Sequence, residues 1–196
     1  AQSAVYAAFC GFFGYILSEK VGLMRPLGFE RRRLAATLAI TAVCGLLFSL
    51  DYWTFAQWIP ELAATYPQLP TPENIASSVL YGGVIEEVLM RLFLMSLVAF
   101  LGWKLFFRKR ERENIPTGLF VAANILTAMA FAAGHLPATV GLFGELTPLI
   151  VFRCFLLNGG LGLVFGWLYR KYGIQYAMLC HAGCHIISKL VWMLFM

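Results

Sequence analysis

Residues 75–107 read IASSVLYGGVIEEVLMRLFLMSLVAFLGWKLFF, an apolar run interrupted near its centre by Glu86-Glu87-Val88-Leu89-Met90-Arg91. About 20 apolar residues suffice to cross a hydrocarbon core ~30 Å thick, so the run is over-long. A charged side chain at mid-membrane opposes insertion by about 2.5–3.5 kcal/mol, and three of them by very roughly 8–10 kcal/mol before pairing. Glu87 and Arg91 are four residues apart, which puts them on one helix face within pairing distance. Glu86 lies about 100° round the helix from Glu87 and has no partner in its own helix, which leaves it as the carboxylate free for chemistry. Two adjacent carboxylates in a low-dielectric setting cannot both ionise cheaply, a situation that suits one of them to acid–base work. Gly82 and Gly83, one turn earlier, leave room for a neighbouring helix or a substrate backbone.

The rest of the chain fits the same environment. Of 196 residues, 60% are hydrophobic and 13% charged, and the mean hydropathy is +0.75. A soluble domain carries about 25% charged residues. Soluble enzymes, disordered tails and disulfide-stapled secreted domains are thereby set aside, and the expectation is an all-α, polytopic membrane helix bundle with about six transmembrane helices. The candidate spans are 1–18, 34–50, 75–107, 118–135, 149–169 and 175–196. They form a single integral-membrane domain over residues 1–196, with a motif-bearing core at about 75–190. No basic stretch precedes the first span, so no signal peptide is expected there.

The net charge of +5 reflects membrane orientation rather than nucleic-acid binding, because the basic residues fall between apolar runs. Loop one holds Lys20, Arg25, Arg31, Arg32 and Arg33; loop three holds Arg108, Lys109, Arg110 and Arg112; loop five holds Arg170 and Lys171. Loop two has Asp51, Glu61 and Glu73 without Lys or Arg, and loop four has only Glu145. The positive-inside rule places the odd loops in the cytoplasm and both termini outside. Loop two also carries Trp53, Trp58 and Tyr66, with Pro60, Pro67, Pro70 and Pro72. It reads as an interfacial segment covering an outer mouth. Gly162 and Gly166 form a GxxxG pair suited to close helix packing. The five cysteines, Cys10, Cys44, Cys154, Cys180 and Cys184, show no paired framework and read as small buried hydrophobes.

All three histidines also lie in or at spans. His135 ends the fourth in Phe131-Ala132-Ala133-Gly134-His135, and His181 and His185 share one face of the sixth through their i,i+4 spacing. Arg153 is a further intramembrane charge, which either snorkels outward or pairs with Glu145 or a site carboxylate.

These residues resemble the three motifs of the CPBP family, the intramembrane CAAX proteases and bacteriocin-processing enzymes. Glu86, Glu87 and Arg91 match its EExxxR motif, and Phe131 and His135 match FxxxH. His181 opens the HxxxN motif, with His185 standing where the family has Asn. The glycine-rich run over 158–173 also resembles the segment leading into the third motif. The resemblance implies an intramembrane endopeptidase acting on a membrane-associated peptide or protein. In it Glu86 and His135 activate water, His181 and His185 stabilise the oxyanion, and Glu87 and Arg91 support the site. It implies no cofactor, and no partner beyond the substrate and the lipid bilayer. A bacterial chain of this kind sits in the inner (plasma) membrane.

Two alternatives stay open. One carboxylate with three imidazoles is also a divalent-metal set, with Glu86, His135, His181 and His185 as ligands of a metal-dependent protease. A non-enzymatic immunity or scaffold protein of the same fold is the other.

Overall fold

The computed structural model describes residues 2–68 and 71–195. Ala1, Leu69, Pro70 and Met196, which include the extreme ends of the first and last expected spans and one loop-two proline, lie outside the described residues. Helices α1 (Gln2–Lys20) and α2 (Arg31–Ser49) come first, followed by the short helices α3 (Asp51–Thr54), α4 (Pro60–Thr65) and α5 (Pro72–Ser77). Helix α5 runs into π-helical turns over Ser78–Glu86 and Val88–Met95 and then into α6 (Ser96–Phe106), forming one long rod. Next come α7 (Thr117–Gly134), α8 (Leu136–Phe143), α9 (Pro148–Cys154), a π-helical turn over Phe155–Gly159, α10 (Gly160–Tyr172) and α11 (Ile174–Phe195). No strand occurs among the described residues.

Four stretches, Arg31–Thr54, Thr117–Phe143, Pro148–Tyr172 and Ile174–Phe195, are long and apolar enough to cross a membrane. With α1 and the α5–α6 rod they make up the expected bundle of about six, and the chain is an integral membrane protein. Local chemistry fixes the breaks. Thr71 and Thr147 cap α5 and α9 by accepting the amides of Asn74 and Ile150, each followed by a proline in the first turn. Gly144 and Gly173 end α8 and α10 with positive φ.

The bundle is apolar on its outside and polar within. Val5, Phe12, Leu105, Phe152 and Leu194 face outward, whereas Ser18, Thr37, Glu87, Arg91, Ser96 and Ser188 are buried. That distribution suits a lipid surround. Helix α11 is central, packed against α2, α10 and the first π-helical stretch of the rod. At the last contact a Cβ on Gly83 would stand 2.6 Å from Cβ of Ala182, so only glycine lets the two backbones close. Gly83→Leu is therefore expected to lower stability by at least about 1–3 kcal/mol. Gly160→Ala, where a Cβ meets nothing within 4 Å, should leave it unchanged or raised. Thermal unfolding in one detergent compares the two; equal midpoints would contradict the packing argument. Gly162 and Gly166 do serve packing, their Cα faces lying against Ala128 and Asn124 of α7.

Loop two folds onto the end of the bundle that carries loop four. Ala56, Ile59, Leu62 and Tyr66 pack with Phe143, Ile150 and Trp192. Beneath them Arg153 donates twice to Asp51, with Nε 2.8 Å from Oδ1 and Nη2 bonded to Oδ2, and the Tyr66 hydroxyl donates to the same Oδ2. Arg153 thus pairs with neither Glu145 nor a motif carboxylate. Burial and the Asp51 charge push the Tyr66 phenol above its ordinary pKa, which keeps its proton available for this bond.

Candidate active site

The π-helical turns of the rod carry the EExxxR residues. π-turns interrupt α-helices mostly at functional sites, and here they set the two glutamates on different neighbours. Glu87 is fully buried, with Oε1 3.1 Å from Arg91 Nη1 and 2.8 Å from His181 Nδ1. Its other oxygen, Oε2, has no hydrogen-bond partner among the described residues. Arg91 also donates through Nη2 to the Gly162 carbonyl at 3.2 Å, and its guanidinium lies 4.6 Å from the Phe131 ring centroid and 5.4 Å from that of Phe165. The i,i+4 pair read from the sequence is therefore real, and it extends across the bundle to α11 and α10.

Among the described residues Glu86 has no direct hydrogen-bond partner. Its Oε1 is 3.9 Å from His135 Nε2 and its Oε2 is 3.9 Å from His181 Nε2. The side chain is 18% exposed. Both gaps are too long for a hydrogen bond and of a length that a bridging water spans.

The two imidazoles are oriented from behind. His135 begins the turn after α7, and its Nδ1 lies 2.8 Å from the carbonyl of Phe131. A carbonyl only accepts, so Nδ1 carries the proton, and Nε2 of the neutral ring presents its lone pair toward Glu86. His181 Nδ1 likewise donates to Glu87. The Phe165 ring stacks on His181 at 4.4 Å, and Phe131 meets His135 edge-on at 4.6 Å. His185 stacks on His181 at 5.1 Å. A Cβ on Gly82 would stand 2.9 Å from His185 Nε2, so this glycine is the window through which the α11 histidines reach the rod.

Glu86, His135, His181 and His185 all line one cavity of about 190 Å³, together with Gly82 and Ser78. Its walls come from the end of α2, the start of the third rod, the end of α7 and the middle of the fifth and sixth rods. A wider groove of about 1150 Å³ lies among loop-one and loop-three residues such as Arg25 and Arg112, and shares no residue with this cavity. Among the described residues, no three of the motif side chains bring their ligand atoms within 4.8 Å of one another, whereas Cys44, Cys180 and Cys184 do. All five cysteines are free.

Sequence reasoning did not single out Phe165, which holds His181, or Asp51, which neutralises Arg153. Lys189 was also passed over. It continues the 181/185 stripe by one more turn, so the spacing itself was a usable signal.

A family model described as Type II CAAX prenyl endopeptidase Rce1-like matches residues 69–187. No curated protein and no solved structure matches the chain.

Proposed function

The chain belongs to the type II CAAX prenyl endopeptidase Rce1-like family, and on that premise we propose that it is an intramembrane endopeptidase with Glu86 and His135 as its water-activating pair. A water between Glu86 Oε1 and His135 Nε2 donates one hydrogen to each. Glu86 takes a proton as the water oxygen attacks the scissile carbonyl. The tetrahedral oxyanion is met on the α11 side, by His181 and His185 in different roles. Because Nδ1 of His181 donates to Glu87, a neutral His181 carries no hydrogen on Nε2; the donor to the oxyanion is the N–H of His185, and His181 holds that ring by stacking on it. The captured proton then passes to the departing amine as the C–N bond breaks. The observation that carries the reading is the placement of Glu86, 3.9 Å from both imidazole Nε2 atoms at the wall of a cavity of about 190 Å³.

The substrate is a membrane-associated peptide or protein, and the bilayer is the medium in which it arrives. By the positive-inside rule the cavity lies toward the non-cytoplasmic half, in the inner membrane of a bacterial cell. Protein reconstituted in liposomes with a farnesylated CAAX-type peptide and its unprenylated counterpart is expected to release a C-terminal fragment, read by mass spectrometry. Failure to cut either peptide, or any of a panel of membrane peptides, favours the non-enzymatic reading.

One observation favours a divalent ion instead. Both His135 and His181 hold Nδ1–H on an acceptor and turn Nε2 toward Glu86, as metal-ligating histidines do. An ion here requires Glu86, His135, His181 and His185 to draw closer together than they stand. Elemental analysis of the purified protein, with activity before and after chelation, separates the two chemistries.

A further inference from the structure

Lys189 is the anomaly that the water-activating site leaves unused. It lies in α11 one turn beyond His185 and is only 4% exposed. Lysine is almost never fully buried unless paired, and intramembrane charges usually meet an opposite charge. Among the described residues no Asp or Glu forms an ion pair with it. Its Nζ donates instead to Ser78 Oγ at 2.6 Å.

Ser78 stands between this ammonium and the cavity, whose wall it forms together with Glu86 and His185. Its oxygen accepts from Lys189, so its own O–H is left to donate, and no acceptor for it is seen among the described residues. A buried cation thus backs a hydroxyl donor at the edge of a cavity whose carboxylate lining, among the described residues, is Glu86. From these placements we infer that Ser78 and Lys189 form a receptor for the free C-terminal carboxylate of the peptide substrate. The inference rests on the proteolytic reading above and deepens it.

The spacing supports a peptide rather than a free small anion. Ser78 precedes Glu86 by eight residues along the same rod, no more than roughly 12 Å, the α-helical value, since the turns between them are π-helical. An extended peptide covers that distance in three or four residues at about 3.3–3.6 Å each. A carboxylate held at Ser78 therefore presents a peptide bond a few residues upstream to Glu86. Charge complementarity favours the orientation, since a carboxylate end is repelled by Glu86 and attracted by Lys189.

The test compares two peptides differing only at the last atom group, a free acid and its C-terminal amide. Their cleavage and their equilibrium binding to detergent-purified protein, read by fluorescence anisotropy, are measured side by side. Wild type is expected to favour the acid by about 10–100-fold in kcat/KM, as a hydrogen-bonded charge contact supports, mostly through KM. Lys189→Met should bring the acid-to-amide ratio close to one, and Ser78→Ala should lower it by about 2–10-fold. Equal use of acid and amide by wild type, or a preference that survives both substitutions, overturns the proposal. If Lys189→Met does not fold, the wild-type ratio and Ser78→Ala decide. If no peptide is cut but the acid still binds preferentially, and Ser78→Ala weakens that preference, the receptor stands and the proteolytic reading falls.

Discussion

Glu86→Gln is expected to lower kcat by about 10²–10⁴-fold, the range supplied by a positioned acid–base group, while the unfolding midpoint stays close to that of wild type. The change is nearly isosteric, so the cavity keeps its shape. It removes the proton acceptor and places an amide where the attacking water is held. Because the nearest groups to Glu86 among the described residues stand 3.9 Å away, little native pairing is lost, and stability should scarcely respond. His135→Ala should fall in the same activity range, since it removes the second acceptor of that water. Cleavage that continues undiminished in either variant removes the hydrolytic role from this pair. A large stability loss in Glu86→Gln with activity preserved per folded molecule would instead make Glu86 a structural group.

Arg91→Met is expected to act in the opposite way, through stability. It leaves Glu87, which is fully buried, without its cation, and breaking one partner of a buried pair costs about 3–5 kcal/mol. The Gly162 carbonyl loses its donor, and the Phe131 and Phe165 rings lose the guanidinium between them. Adding Glu87→Gln should restore much of the lost stability by removing the stranded charge. It should not restore activity, because Glu87 Oε1 is also what fixes the proton on His181 Nδ1. Denaturation in mixed micelles, with cleavage measured on the folded fraction, distinguishes the two effects. An Arg91→Met protein as stable as wild type would show that the pair is dispensable to the fold.

What the sequence made legible followed local spacing. The i,i+4 rule paired Glu87 with Arg91 and placed His181 beside His185. Apolar run lengths and alternating loop charge marked the rods. Contacts between distant segments carried no such signal. Arg153 had plausible partners nearby in sequence, yet it pairs with Asp51, which is 102 residues away, because helix packing rather than spacing brings them together. Lys189 was visible as the next turn of the histidine stripe, but Ser78, 111 residues away, was not. The same holds for the three thiols: Cys180 and Cys184 are one turn apart, whereas Cys44 joins them from α2. The π-helical turns within the third rod have no signature in hydrophobic periodicity. They change which neighbour each glutamate faces, and so the roles of Glu86 and Glu87 separate fully only in three dimensions.

The Asp51–Arg153–Tyr66 cluster has a consequence for biogenesis. A ribosome delivers the acid first and its guanidinium partner 102 residues later, after the third and fourth rods have been threaded into the translocon. Until then Asp51 is an unneutralised anion at the lipid boundary, held by the tyrosine alone. The cover that loop two makes over the non-basic end therefore cannot complete its polar anchor until the fifth rod has been made.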